Sequence, residues 1–213
     1  MGREFLTVFR DWAEDYDAVV SGGDQQYLDV FENYDEILDK IVSLSGESVI
    51  EFGVGTGNLT GRLILAGKEV WGIEPSIEMR RVAEEKLPAH VTVVDGDMQS
   101  FSVPPYRVDT LVSSYVFHHL TDNEKKTVLK DYAALLINGG KIVFADTLFI
   151  SEEEKAKLIG SYPNQDYPDL IDDLNREYYP YMSTVYDGLK EAGFKKIGFS
   201  QMNKFVWMIE AEI

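Results

Sequence analysis

The chain has 213 residues, of which 45% are hydrophobic, and its formal net charge at pH 7 is -17. This length and apolar content are typical of one folded domain with its own core. The acidic excess repels phosphate backbones and so argues against nucleic acid as a partner. The sequence contains no cysteine, which excludes disulfides, thiolate metal sites and cysteine nucleophiles. No apolar run reaches membrane-spanning length and the first residues lack the apolar core of a signal peptide, so we expect a cytoplasmic protein without a membrane partner.

Two helices are predicted at the start of the chain, over residues 3–20 and 24–44. The glycines of the segment SGGD separate them, and Asp24 is the expected N-cap of the second helix. The second helix has a continuous apolar face with helical spacing. That face consists of Tyr27, Val30, Phe31, Tyr34, Ile37, Leu38, Ile41 and Val42.

From residue 48 onwards, apolar strand-like runs alternate with helical segments. The runs are almost continuously apolar, as expected when helices cover both faces of a parallel sheet. Right-handed crossovers then give an α/β fold with an open, doubly wound, Rossmann-like and mostly parallel sheet. The last two of its seven strands leave no room for a helix between them and are predicted to pair antiparallel. The runs are SVIEFG, EVWGIEP, HVTVVDGD, VDTLVSS, GKIVFADT, FKKIGFSQMN and FVWMIEAEI, and helices are predicted near residues 57–66, 76–87 and 121–137.

The segment EFGVGTGN, residues 51–58, places Gly53, Gly55 and Gly57 directly after the first strand. Glycine weakens a strand because it loses more entropy on folding and has no side chain to pack. In doubly wound sheets, ligands bind at the carboxyl ends of the strands, where such glycines let bare backbone approach them. The N–H groups that begin the next helix favour a carboxylate or phosphate. A tight turn without a ligand is the alternative interpretation.

Two acidic residues follow the next strands along the chain. Glu74 ends the second strand, where a carboxylate can accept both hydroxyl groups of a ribose. Asp97 ends the third strand and could accept a hydrogen bond from an adenine amine. A single acid at a strand end is more often an N-cap or part of a turn. The glycine loop and both acids in this order predict an adenosine-containing ligand.

The glycine pattern distinguishes between two kinds of adenosine cofactor. A nicotinamide fingerprint would require glycine at position 58, where this chain has Asn58. The pattern Glu-x-Gly-x-Gly-x-Gly resembles the first motif of the class I S-adenosylmethionine-dependent methyltransferases. The segments EFGVGTGNLT, GIEPS, FHHLTD and GGKIVFADT resemble, more narrowly, the small bacterial methyltransferases called YrrT. The resemblance covers residues 48–150 by motif and the last twenty residues by layout, and it implies S-adenosyl-L-methionine as cofactor.

The resemblance also implies roles for individual residues. Gly53 and Gly55 would lie under the methionine and ribose parts of the cofactor, and Gly57 would open the helix. Glu51 would lie near the cofactor's amino group or its sulfur. The other implied contacts are Glu74 to the ribose, Asp97 and Met98 to the adenine, and Ser113, Ser114 and Tyr115 along the pocket, although Met98 could equally be core filler.

Two further predictions concern catalysis and closure of the pocket. His118, in the segment FHHLTD after the fourth strand, is the candidate general base or acceptor clamp, whereas a plain backbone contact in this loop is the alternative for His118 and His119. Trp12 and Tyr16 resemble an element that folds over the cofactor, and packing on a helix face is their alternative role. The sequence shows no convincing spacing of histidines and carboxylates for a metal site.

We therefore predict one methyltransferase domain over residues 1–213 that acts on a small-molecule acceptor, as a monomer or homodimer. Its parts are an N-terminal helical lid (1–45), the cofactor-binding core (46–150), an insertion over the acceptor site (151–181), and the last helix with the antiparallel strands (182–213). The insertion would roof the acceptor pocket with Tyr162, Tyr167, Tyr178, Tyr179 and Tyr181.

Two other functions remain open from the sequence. A cofactor-binding sensor of the same fold would share every motif residue. A nicotinamide-dependent short-chain reductase would use the segment TGNLTGRL and the pair Tyr186-x-x-x-Lys190, although i, i+4 spacing on a helix is commonly incidental.

Overall fold

The computed structural model describes residues 13–213, so most of the helix predicted over residues 3–20, including Trp12, lies outside the described residues. The described chain forms a seven-stranded sheet with the order β3-β2-β1-β4-β5-β7-β6. The first five strands pair parallel, and β7 runs antiparallel to both β5 and β6. This confirms the predicted fold class. The strands are β1 (Ser48–Phe52), β2 (Glu69–Ile73), β3 (Thr92–Val94), β4 (Thr110–Ser114), β5 (Lys141–Thr147), β6 (Gly198–Gln201) and β7 (Val206–Glu212).

The described part of the chain contains seven helices of eight or more residues, one before the first strand and the others between strands. Local sequence sets several of their ends: the Ser76 hydroxyl accepts from the Met79 N–H at the start of α3, and Thr121 and Glu124 form a capping box at the start of α4. The helices are α1 (Tyr34–Leu44), α2 (Asn58–Leu65), α3 (Ile77–Lys86), α4 (Asp122–Leu135), α5 (Glu152–Gly160), α6 (Pro168–Arg176) and α7 (Met182–Ala192).

Apolar side chains pack on both faces of the sheet. Ile50 and Phe52 of β1 belong to one buried cluster, whereas Val49 of the same strand belongs to the other. In β4, Leu111 and Val112 divide in the same way. Successive side chains of a strand point to opposite faces, so a sheet covered on both sides needs apolar residues at consecutive positions.

The single helix predicted over residues 24–44 is wrong. Asp24 does act as an N-cap, accepting from the Gln26 N–H at 2.9 Å, but the turn that it caps is a short 3-10 helix, Gln25–Tyr27. Asn33 has a left-handed backbone (φ 61), and α1 begins only after it. The amide of Asn203 donates to the carbonyls of Val30 and Glu32 at 2.9 and 2.8 Å. These tertiary hydrogen bonds engage carbonyls that a continuous helix would use itself.

The segment between β5 and α7 contains α5 and α6, and α6 contacts the N-terminal part of the chain. Gln26 and Asp169 exchange two hydrogen bonds, of 2.7 and 2.9 Å. The Tyr27 hydroxyl donates to Asp173 at 2.5 Å, and α6 buries Leu170 and Leu174. Two segments far apart in the sequence are thus joined on one side of the sheet. No helix in residues 13–213 is both long enough and apolar enough to span a membrane.

Candidate active site

A cavity lies at the carboxyl ends of the central strands, and the glycine loop forms part of its wall. Gly53, Gly55 and Gly57 all have positive φ values, of 74, 56 and 89°. A Cβ at position 53 would come within 2.3 Å of Val116, so the packing of the loop requires this glycine. At Gly55 a Cβ would meet nothing within 4 Å. Packing in the described protein therefore does not require Gly55, and its bare backbone opens into the cavity.

Glu51, near the end of β1, is a buried carboxylate in the cavity wall. Its Oε2 accepts from the Thr60 hydroxyl at 2.6 Å, whereas its Oε1 has no hydrogen-bond partner among the described residues. Burial raises the pKa of Glu51 to about 8. Leaving a buried acceptor unsatisfied is costly, so this oxygen needs a partner from outside the described protein atoms.

Glu74 follows β2 and holds the glycine loop in place. One carboxylate oxygen accepts from the Gly55 N–H and the other from the Ser76 N–H, both at 2.8 Å. Burial raises the pKa of Glu74, and these two N–H groups oppose the rise. Each carboxylate oxygen has a second lone pair, so both can still accept a hydrogen bond from a ligand hydroxyl in the cavity.

Asp97 and Met98 line the same cavity beyond the end of β3. The Asp97 carboxylate accepts from the N–H groups of Gln99 and Ser100 at 2.9 and 3.0 Å. Met98 is buried, and its carbonyl accepts from the Tyr132 hydroxyl at 2.7 Å. Asp97 thus closes a turn and Met98 joins the core, while both remain available to a ligand. Their contacts to an adenine stay predictions.

Tyr16, Ser114 and Tyr115 also line the cavity, whereas Ser113 is buried and is not among the lining residues. The rings of Tyr16 and Tyr115 lie 6.4 and 5.1 Å from the ring of Phe31, which lines the cavity but was predicted only as part of a helix face. Tyr115 has a left-handed backbone (φ 58), which is uncommon for a bulky residue and typical of functional sites.

The N-terminal segment is fixed to the glycine loop through Asp17. Its carboxylate accepts from the Thr56 hydroxyl at 2.6 Å, from the Asn58 amide at 3.0 Å and from the Lys86 ammonium at 2.6 Å. These bonds place the neighbouring Tyr16 against the cavity. The sequence gives a weak signal for this anchor, since one acid beside a tyrosine is common in helices.

His118 lies between two carboxylates, where the loop after β4 meets the end of α6. This part of the cavity is called its far end below. Its Nδ1 is 2.6 Å from Asp146 Oδ1 and its Nε2 is 3.1 Å from Glu177 Oε2. Burial acts to lower the pKa of His118, but the two carboxylates overcome it and raise this pKa to about 10. Both ring nitrogens of His118 therefore face carboxylates in this arrangement. Its roles as general base and as acceptor clamp stay predictions.

The neighbours of His118 are buried with it. The pKa of His119 is lowered to about 3, first by burial and then by the charge of His118. Burial acts to raise the pKa of Glu177, but the hydrogen bond from His118 outweighs it and lowers this pKa to about 2. The Tyr179 ring stacks on His118 with 4.7 Å between centroids, and its hydroxyl donates to Glu177 at 2.8 Å.

Several residues of this region were not predicted from the sequence. Asp146, near the end of β5 and in contact with His118, could have been found by the strand-end rule that selected Glu74. Asp173 and Glu177 lie in the insertion, where the sequence offers no pattern. Of the insertion's five tyrosines, all within the described residues, Tyr179 lines the cavity, so the predicted tyrosine roof is largely replaced by carboxylates and by Tyr27 and Phe31.

An open, mostly parallel sheet, a glycine loop with bare backbone and acids at successive strand ends are features of nucleotide-cofactor enzymes. A family model described as a methyltransferase domain matches residues 49–140. An uncharacterized methyltransferase of Bacillus velezensis is 51% identical over 211 residues, which cover 99% of each chain. The uncharacterized methyltransferase YrrT of Bacillus subtilis is 48% identical over 211 residues, with the same coverage. The chain therefore belongs to this methyltransferase family.

Solved structures share the fold at low sequence identity. Magnesium protoporphyrin IX methyltransferase from Synechocystis, with bound SAH, is 20% identical with a TM-score of 0.70, and the match covers 97% of this chain and 98% of that one. A DhpI-SAH complex is 15% identical with a TM-score of 0.68, covering 97% and 93%. The reductase alternative gains no support, because Tyr186 and Lys190 lie on α7 and are not among the described residues that line the cavity.

Proposed function

We propose that the protein transfers the methyl group of S-adenosyl-L-methionine to a small-molecule acceptor. The observation that carries this proposal is the buried Glu51 carboxylate, whose Oε1 has no partner among the described residues, beside the bare backbone at Gly55. A cationic group would pair with the Glu51 carboxylate, and an adenosine-containing molecule would fit against the bare backbone at Gly55. One ligand with both properties accounts for both features. The solved relatives that hold SAH in the same fold support the choice.

The chain's own residues would bind the donor as follows. Glu51 would accept from its amino group, the Gly55 backbone would lie against its chain, and Glu74 would accept from its ribose hydroxyls. When bound, the donor supplies an electrophilic methyl group that the acceptor displaces in line from sulfur. The protein contributes alignment and exclusion of water, which can supply about 7–11 kcal/mol in favourable cases.

The cavity wall favours a small acceptor. Beyond the donor-binding half, the wall comes from Tyr27, Phe31, Glu177 and Tyr179, and the Tyr27–Asp173 hydrogen bond crosses from the N-terminal segment to α6. These residues line one cavity with aromatic rings and carboxylates, which suits a small acceptor with apolar and polar groups. The formal charge of -17 also argues against nucleic acid.

Turnover of a labelled donor tests the reaction itself. The purified chain is incubated with donor labelled in its methyl group and with a metabolite extract, and labelled products are separated by size. We expect label in a small molecule. Label in protein or nucleic acid would contradict the acceptor class, and donor binding without any labelled product would instead favour the sensor function.

Replacing Glu74 with alanine is expected to weaken binding of S-adenosyl-L-methionine by about 1.5–3 kcal/mol, the range for hydrogen bonds to a charged group. Isothermal titration calorimetry measures the change. Glu69→Ala, at an exposed position of β2, is the matched control and should bind like the unmodified protein. Equal affinity of the Glu74 variant and its control would remove the ribose assignment.

Donor binding is expected to strengthen as pH rises from 6 towards 8. Because burial raises the pKa of Glu51 to about 8, this group is mostly protonated in the free protein at pH 6, and a cationic ligand must displace its proton. Calorimetry in buffers of different ionisation enthalpy should detect that proton release. Glu51→Gln should bind more weakly and lose the pH-dependent rise; a variant with the unmodified pH profile would exclude Glu51 from the binding site.

A further inference from the structure

Two histidines and a carboxylate converge at the far end of the cavity. His118 and His119 come from the loop after β4, and Glu177 comes from the end of α6. One possible ligand atom from each residue lies within 4.8 Å of the other two. All three residues line the cavity and are buried or nearly so. This group was not predicted from the sequence, because Glu177 lies in the insertion, far along the chain from the histidines.

From this geometry we propose that His118, His119 and Glu177 bind one divalent transition-metal ion. Bonds of about 2.0–2.2 Å from an ion to nitrogen and oxygen ligands require donor atoms a few ångströms apart, as in this cluster. Two imidazoles and one carboxylate suit zinc, iron or cobalt better than calcium or magnesium, which prefer oxygen ligands. The ion would lie between His118 Nε2 and Glu177 Oε2, which are 3.1 Å apart.

Asp146 provides the orientation that such a site requires. Its Oδ1 is 2.6 Å from His118 Nδ1, and its Oδ2 accepts from the backbone N–H of His118 at 3.0 Å. A carboxylate on the far nitrogen of a histidine is the usual arrangement around a protein-bound metal, because it fixes the ring and leaves the other nitrogen as ligand. Asp146 is in this sense a positioning residue.

The insertion is held to the histidine loop independently of the cluster. The backbone N–H of Tyr178 donates to the carbonyl of His118 at 3.2 Å, and the Lys125 ammonium donates to the Tyr178 carbonyl at 2.6 Å. Glu177, the residue before Tyr178, is therefore placed by the backbone as well as by its own side chain. A preformed position for the third ligand reduces the ordering needed when an ion binds.

Three protein ligands leave open coordination positions, as in catalytic metal sites. This part of the inference rests on the proposed function: the ion would bind an acceptor that carries a thiol or hydroxyl group. Binding would release the acceptor's proton to solvent. The resulting anion would form a bond to the donor's methyl carbon while the carbon–sulfur bond breaks, and the electron pair of that bond would stay on the donor sulfur.

Cobalt(II) is a direct probe, because its visible absorption reports coordination. The full chain is freed of metal with a chelator, titrated with Co²⁺, and then back-titrated with Zn²⁺. We expect a saturable band at one equivalent that Zn²⁺ abolishes. His119→Asn and Glu177→Gln should each weaken Co²⁺ binding at least tenfold. His90→Asn, at an exposed histidine, is the matched control and should bind like the unmodified protein.

The outcomes separate the two proposals. No saturable band in the unmodified chain, or unchanged binding in a variant that folds, would overturn the metal site. If one variant fails to fold, the other variant decides. Calorimetry with SAH on the same preparations tests the donor site. Normal SAH binding without Co²⁺ binding would refute only the metal proposal. Co²⁺ binding without SAH binding would refute only the proposed function. Adding 2-mercaptoethanol or acetohydroxamate should alter the Co²⁺ spectrum. If neither compound changes the spectrum, the proposal that the ion has open coordination positions is refuted.

Discussion

Replacing Asp146 with alanine is expected to lower the free energy of unfolding by about 3–5 kcal/mol, the usual effect of removing one partner of a buried ion pair. Asp146 is 1% exposed and accepts from the backbone N–H of Thr147 at 2.7 Å, besides its two contacts to His118. Its loss would leave a buried, positively charged ring facing an apolar gap. Urea denaturation of metal-free protein measures the change.

The control for this prediction is Asp187→Ala, at an exposed position of α7, which should change stability by less than about 0.5 kcal/mol. The effect of Asp146 should also depend on pH. Because the pKa of His118 is raised from 6.5 to about 10 on folding, its stabilisation is fully present below pH 6.5 and is lost as pH rises through 10. The difference between the unmodified chain and the Asp146 variant should shrink over this interval; a constant difference would show that His118 is neutral.

Replacing Gly55 with leucine is expected to weaken donor binding at least about 100-fold, or about 2.7 kcal/mol, and to lower stability only by the cost of its backbone conformation. A Cβ at this position meets nothing within 4 Å, so the larger side chain would project into the space proposed for the donor. The left-handed backbone (φ 56) costs a leucine roughly 1–2 kcal/mol. Calorimetry with SAH and urea denaturation measure the two effects separately.

Gly67→Leu is the matched control for the backbone strain. Gly67 is exposed, has a φ of 78°, and a Cβ there also meets nothing within 4 Å. The two variants should lose similar stability, but Gly67→Leu should bind SAH like the unmodified chain. Equal affinity in both variants would place the donor elsewhere.

Local and periodic signals in the sequence were sufficient for the sheet and for the helices that cross over it. Apolar runs predicted the five parallel strands, and α2, α3 and α4 begin and end within two residues of their predicted limits. The prediction of one helix over residues 24–44 was wrong. The apolar residues of this segment have helical spacing, but the rings of Phe31 and Tyr34 pack against Tyr115 and do not form one face of a continuous helix. Side chains that line a cavity are as apolar as those of a core, and periodicity does not separate the two.

In the candidate site too, some residues could be predicted from the sequence and others could not. Residues at the ends of successive strands, such as Glu51, Glu74 and Asp97, could be predicted because strand order fixes their position. Asp173 and Glu177 could not, because only the path of the insertion brings them to the cavity. The role of His118 depends on its two carboxylate neighbours, one of which is in that insertion.

The cavity is built from two parts of different origin. The glycine loop and the strand-end acids belong to the sheet, whereas the opposite wall consists of the turn around Tyr27 and the end of α6, joined by side-chain hydrogen bonds. We therefore expect substitutions around Tyr27 and at the end of α6 to alter which acceptor fits, while the strand-end residues proposed to bind the donor keep their places in the sheet.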